Sequence, residues 1–325
     1  MNRILITGGA GFIGSHVVER MMRQYPHAEF QILDKMTYAA DIRNLDGMLD
    51  WERCHLVVGD LADFDLCTRA TRDVDCVLHL AAESHVDNSF GNSLQFTRSN
   101  TLGTHCLLEA CRINKVPRII HVSTDEVYGE ILEGVHSERD LLNPTNPYSA
   151  SKAGADMIAI SYIHSFKLPL IIVRGNNIFG IRQYPEKIIP KFSLLAIAGN
   201  KMTLHGSGKN RRRYLAVEDF TDALALLLES GKVGEIYNVG TDLEYENLDI
   251  ARMICDIFEL RFEDVVRFVD DRPFNDFRYA LDSSKLQGLG WLPKRPLATT
   301  LPGVVNWYKQ NYSRYLNQFS RRAGD

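Results

Sequence analysis

The chain has 325 residues, 45% of them hydrophobic and 24% charged, with 37 basic and 41 acidic side chains and a net charge of −4. These are ordinary values for a globular chain with room for one large or two modest domains. They exclude a nucleic-acid binder held by bulk charge. No stretch approaches the roughly eighteen consecutive apolar residues of a membrane span, so no membrane is expected and a cytoplasmic protein is. The six cysteines (54, 67, 76, 106, 111 and 255) form no C-x-x-C, so reduced thiols are expected and no metal site.

Along the first half of the chain, strand-length apolar runs alternate with longer amphipathic stretches. Arg3–Thr7 predicts a first strand, followed by a glycine-rich turn and a helix over Phe12–Gln24. Further strands are expected at Phe30–Asp34, His55–Gly59, Val74–Ala81, Arg118–Ser123 and Pro169–Arg174. Helices are expected over Asp63–Arg72, Leu94–Asn114 and Pro147–Phe166. This alternation indicates an α/β fold with a doubly wound parallel sheet of Rossmann type. After Gly175 it weakens, and Gly, Pro and basic residues gather in "GIRQYPEKIIPKF" and "LHGSGKNRRRYL". One more strand is expected at Gly234–Gly240 and one more helix at Asp249–Glu259. Residues 1–175 with the strand near 234–240 are thus read as a dinucleotide-binding domain. Residues 176–325 are read as mainly a smaller C-terminal lobe that binds substrate over the carboxyl edge of the sheet.

Gly8, Gly9, Gly11 and Gly14 stand between the first strand and the first helix. There, glycines permit a tight turn and close approach of the backbone to a pyrophosphate, while the helix start offers N–H groups. Phe12 and Ile13 open that helix. Twenty residues past Gly14, Asp34 ends the second strand. A carboxylate there accepts ribose hydroxyls and repels a 2′-phosphate, so NAD is expected rather than NADP. Lys35, Asp60-Leu61 and Leu80-Ala81-Ala82 occupy neighbouring strand ends and are expected along the same cofactor. The plainer reading is a structural turn with a surface aspartate.

"NPYSASK" places Tyr148 and Lys152 four residues apart on one helical face, just after Pro147. A lysine ammonium and an oxidised nicotinamide would both favour the phenolate, so Tyr148 can take a proton from a sugar hydroxyl. "HVSTDEVYG" sets Asp125 beside Glu126 where a buried strand ends. Two ionised carboxylates are costly there unless they are solvated or have a task.

These motifs carry a resemblance. TGGAGFIG, Asp34, "LAAESHVD", "STDEVYG" and the Tyr-x-x-x-Lys pair are similar to the extended short-chain dehydrogenases/reductases. More narrowly, the chain resembles the nucleoside-diphosphate-glucose 4,6-dehydratases, as far as "DRPFNDFRYALDSSKLQGLGW" near its end. The resemblance implies a lyase that turns an NDP-glucose into a 4-keto-6-deoxy sugar and water, with tightly bound NAD recycled in every turnover. It makes Asp125 the acid to O6, Glu126 the base at C5, and Tyr148 with Lys152 the base at O4; Thr124 hydrogen-bonds O4. An acid and a base side by side in opposite protonation states suit adjacent carboxyls, because a like-charge neighbour raises one pKa.

By the same resemblance, Ser84, His85, Asn177, Lys187, Arg212, Asn238, Arg272 and Asn275 face the substrate. Arg211 and Arg213 are read instead as a solvated basic turn. "RGNNIFG" stands where bacterial dTDP-sugar enzymes tend to have Cys-Ser-Asn-Asn-Tyr-Gly, and it looks more like the UDP-glucose 4,6-dehydratase domain of rhamnose synthases. UDP-glucose is the expected substrate and dTDP-glucose the alternative. Relatives imply a homodimer through a four-helix bundle of residues 94–114 and 147–166, and a separate epimerase/reductase to use the product. A 4-epimerase or decarboxylase on the same scaffold, or a non-catalytic NAD-binding scaffold, stays open. The intact Asp125, Glu126, Tyr148 and Lys152 argue against all three.

Overall fold

The computed structural model describes residues 1–50, 52–271 and 274–316. Seven strands make the central sheet: β1 (Arg3–Thr7), β2 (Glu29–Asp34), β3 (Cys54–Val58), β4 (Cys76–His79), β5 (Ile119–Thr124), β6 (Leu170–Gly175) and β7 (Ile236–Val239). They run in the order β3-β2-β1-β4-β5-β6-β7, every pairing parallel. The expected doubly wound α/β sheet is present. Strand order reverses between β1 and β4, and sheets of this kind open a ligand crevice there, beyond their carboxyl ends.

The alternation within β1 explains why both faces are covered. Ile4 and Ile6 enter one core, and Leu5 enters another on the opposite face. Helix α1 (Phe12–Gln24) covers the first face. On the second face lie α2 (Gly103–Ile113) and α3 (Pro147–Phe166), whose Leu107, Leu108 and Tyr162 pack with Leu5. Each such fully buried aliphatic side chain contributes about 1.5–3 kcal/mol. α4 (Val217–Ser230), a helix with no counterpart among the expected elements, also returns to the first face and packs against α1.

α3 begins where the sequence says it should. Asn146 accepts the Ser149 N–H at 2.9 Å while Ser149 Oγ accepts the Asn146 N–H at 3.1 Å, with Pro147 in the first turn. Before α2, the helix runs back through a π-helical stretch, Thr97–Leu102, to Ser93–Phe96. The smaller lobe has its own core around Phe179, Phe192, Ile250 and Leu301. Its three-stranded sheet joins Asn177–Phe179, Arg211–Ala216 and Glu244–Glu246. The cysteines are free, five of the six are buried, and no described helix is long and apolar enough to cross a membrane.

Candidate active site

One continuous cleft follows the carboxyl ends of the strands and passes under the smaller lobe. At its first end the chain turns at Gly8, with φ of +73°, before α1 begins. A Cβ on Gly8 would stand 2.7 Å from the Ala81 backbone, and one on Gly14 only 2.0 Å from the Gly8 carbonyl oxygen. Only glycine fits where the turn, the helix and the loop after β4 are pressed together. The start of α1 has no side-chain cap, so its first-turn N–H groups remain available to an anion.

Asp34, 7% exposed, accepts the Ala10 N–H at 2.9 Å and the Met36 N–H at 2.8 Å. Burial raises its pKa in spite of those bonds. Lys35 reaches Asp60 at 2.9 Å across the adjacent strand end. Gly11, Phe12, Ile13, Leu61, Leu80, Ala81 and Ala82 complete the wall. An uncapped helix start for phosphates and a carboxylate for ribose hydroxyls fit a dinucleotide.

α3 brings Tyr148 and Lys152 to the middle of the cleft, both nearly buried. Lys152 Nζ donates to the Val122 carbonyl of β5 at 2.8 Å. Burial lowers the Lys152 pKa to about 8, against the opposing pull of Asp156. Burial, then the charge of Glu126, raises the Tyr148 pKa, with the Thr124 hydrogen bond opposing. The positive charge of an oxidised nicotinamide beside it would pull the other way. Asn100, in the π-helical stretch, holds this region together. It accepts the Glu83 N–H at 2.8 Å and donates to the Glu83 carbonyl at 3.0 Å and to Ser151 Oγ at 2.8 Å. A polar residue of poor helix propensity in mid-helix was the available signal for it.

Thr124 ends β5 and caps the short turn Asp125–Tyr128 that carries the acid pair. Glu126 and Thr124 line the cleft, whereas Asp125 is recessed. It accepts from Thr124 Oγ1 at 3.2 Å and from Asn176 Nδ2 at 3.0 Å, and only 3% of it is exposed. Burial, and after it the charge of Glu126, pushes the Asp125 pKa up to about 7. Two neighbouring carboxyls thus differ in environment: one exposed to the cleft, the other buried and half protonated at neutral pH.

On the far wall, Ser84, His85, Asn177, Lys187, Arg212 and Asn275 all line the cleft. Lys187 Nζ donates to the Ser84 carbonyl at 3.0 Å, and His85 lies 3.9 Å from Glu186 and 3.8 Å from Asp87. Arg212 donates to the Asp276 carbonyl at 2.8 Å, its guanidinium 4.7 Å from the centre of the Tyr279 ring. Asn275 donates to Asp271 at 2.9 Å.

Two expectations are corrected. Asn238 is fully buried off the cleft, accepting from the Tyr128 hydroxyl at 2.9 Å and donating to the His136 carbonyl at 3.1 Å. Asn247, at the start of helix Asn247–Ile257, lines the cleft and was missed. Nor do Arg211–Arg213 form a solvated turn: they lie on a strand, and buried Arg213 faces Glu244 and Asp242, each at 3.7 Å. Arg211, the first residue of that strand, is exposed. Arg272 lies outside the described residues. Among those described, no group of His, Cys, Asp or Glu is placed to hold a metal.

Comparison with known proteins agrees with this arrangement. Residues 5–302 match the model of the family described as GDP-mannose 4,6 dehydratase. The chain belongs to that family. It is an extended short-chain dehydrogenase/reductase, as its motifs imply. A trifunctional UDP-glucose 4,6-dehydratase/UDP-4-keto-6-deoxy-D-glucose 3,5-epimerase/UDP-4-keto-L-rhamnose-reductase of Arabidopsis thaliana is 49% identical over 95% of the chain. The chain spans 47% of that protein, about half its length. The dTDP-D-glucose 4,6-dehydratase of Dictyostelium discoideum is 41% identical over 98% of this chain and 84% of its own. Among solved structures, the dTDP-glucose 4,6-dehydratase DesIV from Streptomyces venezuelae, with NAD and TYD bound, superposes with a TM-score of 0.93 at 40% identity, covering 96% of this chain and 98% of its own.

Proposed function

We propose that this chain is an NAD-dependent nucleotide-sugar 4,6-dehydratase that converts UDP-glucose to UDP-4-keto-6-deoxyglucose and water. One observation carries the reading: Tyr148, Lys152 and Glu126 line a single cleft, and the adjacent Asp125 is buried beside it, its pKa pushed up to about 7 by burial and by Glu126. An epimerase or decarboxylase has no use for that second acid–base pair. NAD, held by the Gly8–Gly14 turn, Asp34 and the strand ends around Lys35, Asp60 and Ala81, would accept the sugar hydride and later return it.

The chain's own residues move protons. Tyr148, as the phenolate that the Lys152 ammonium and an oxidised nicotinamide would favour, takes the proton from O4, with Thr124 hydrogen-bonded to the same oxygen. A ketone at C4 makes C5–H acidic, and Glu126 removes that proton. Asp125 gives its proton to O6 as water departs, and Glu126 returns its proton to C5. The proton taken from O4 equals the one spent on water, and the enzyme is reset when Tyr148 releases its proton to solvent and Asp125 takes one up.

The division of labour follows the fold. Residues 1–175 with β7 hold the cofactor, and the smaller lobe holds the nucleotide sugar, with Lys187 and Arg212 toward the diphosphate. The UDP preference rests on the higher identity to the UDP-glucose enzyme; dTDP-glucose is the second reading, favoured by the DesIV match. The helical run Ser93–Ile113 and α3 expose Leu94, Leu102, Met157 and Phe166, an apolar face suited to a homodimer. The product is a substrate for the epimerase and reductase activities that the Arabidopsis protein carries itself. Free, buried thiols suit the cytoplasm.

The test is to denature the purified protein, quantify released NAD, and compare turnover of UDP-glucose and dTDP-glucose. Stoichiometric NAD and a higher kcat/KM for UDP-glucose are expected. Turnover of neither sugar, with NAD supplied, would contradict the proposal.

A further inference from the structure

Behind the Tyr148–Lys152 face lies a buried polar cluster that these proton transfers do not use. Tyr148, Lys152 and Asp156 follow one another at four-residue spacing along α3, on one face. Asp156 is fully buried, its Oδ2 2.9 Å from Nε of Arg174, which is 1% exposed. Its other oxygen lies 3.2 Å from His121 Nε2, off the line of a good hydrogen bond. Arg174 Nη1 donates to the Tyr128 hydroxyl at 2.8 Å, and Tyr128 ends the turn that starts at Asp125. His121 stacks on His79 at 5.1 Å, and His79 bonds Thr7 at 2.7 Å and Thr104 at 2.9 Å. The cluster thus touches the backs of α3, the acid-pair turn and the β1 strand end.

A buried ion pair adds little net stability, because the desolvation of both ions offsets their attraction. We propose that Asp156 and Arg174 are a positioning pair that sets the charge balance around Lys152, an inference resting on the reading of Tyr148 and Lys152 as acid–base machinery. The groups that face Lys152 are Tyr148 and Asp156 on its own helix, His121 on β5 and His79 on β4, with Arg174 on β6 reaching it through Asp156. Burial lowers the pKa of both histidines, so both are neutral near pH 7. Asp156 and Arg174 remain as the ions. Asp156 favours the lysine ammonium, and Arg174 limits that pull.

Titration of Lys152 itself tests this without turnover. The protein is labelled with 13C at lysine Cε, and the Lys152 signal is assigned by its loss in Lys152→Met. Asp156→Asn is expected to lower the Lys152 midpoint by about one pH unit, and Arg174→Met to raise it by about as much. Arg174→Lys, which keeps the charge, should leave the midpoint near that of the unaltered protein. The alkaline limb of turnover should move in the same directions. An unmoved midpoint in Asp156→Asn would overturn the proposal, whether or not Arg174→Met folds. Midpoints that shift while the turnover limb stays fixed would uphold the charge balance and count against the place of Lys152 in the reaction.

Discussion

Replacing Asp125 by Asn should make the protein more stable and nearly inactive, by an amount that depends on pH. A carboxyl raised to about 7 in the folded state, from about 3.9 unfolded, penalises folding as it ionises. The sign follows from proton binding: the folded state holds the proton over a range where the unfolded state has lost it. Stability attributable to this group is therefore greatest below pH 4, falls as pH rises, and levels off above pH 7. From those two midpoints the penalty is roughly 1–2 kcal/mol at pH 5 and roughly 4 kcal/mol at pH 8. Asn keeps the shape between Thr124 and Asn176 and carries no charge. The stability advantage of Asp125→Asn, measured by urea unfolding at matched NAD content, should thus grow by roughly 2–3 kcal/mol from pH 5 to pH 8. Turnover should fall by about 10²–10⁴-fold, the usual worth of a positioned acid, or about 3–5 kcal/mol of barrier. A stability difference that is flat or shrinks with pH, or turnover near that of the unaltered protein, would refute the reasoning.

Glu126→Gln should slow turnover by about 10²–10⁴-fold and abolish exchange of the C5 proton with solvent, read by NMR in D₂O; undiminished exchange would remove Glu126 as the base. Gly14→Ala drives a Cβ to 2.0 Å from the Gly8 carbonyl oxygen, which should cost about 1–3 kcal/mol in urea unfolding and strip bound NAD. Unchanged stability and cofactor content would contradict the tight cradle. Leu94, 82% exposed, and Met157, 56% exposed, should turn a dimer into monomers in sedimentation velocity when both are replaced by Glu. A protein that sediments as a monomer before any substitution would contradict the shared apolar face.

The central sheet and the cleft's cofactor end were legible because their signals are local. Apolar runs and the glycine turn specify β1, α1 and β2 within a few dozen residues, and α3 follows from its Pro and capping pattern. The acid pair was legible as a chemical anomaly, two carboxylates where a buried strand ends. What escaped depends on contacts distant in sequence. Asn238 and Asn247 are both plausible polar positions near the end of β7, and only packing against Tyr128 turns the first inward. Arg211 is exposed at the start of a strand while Arg213 is buried against Glu244 and Asp242, a difference set by partners about thirty residues on that a run of three identical residues conceals. Burial and the charge of Glu126, which raise the Tyr148 pKa, likewise arise from packing that the Tyr-x-x-x-Lys spacing does not report.

The central claim is that one cleft oxidises C4, eliminates water across C5 and C6, and ends with its cofactor unreduced. Proton NMR of the purified protein with UDP-glucose in D₂O, without added cofactor, tests it most directly. The account predicts a new C6 methyl signal, deuterium at C5 and no net NADH. Appearance of galactose signals, or a sugar unchanged even after NAD is supplied, would contradict it.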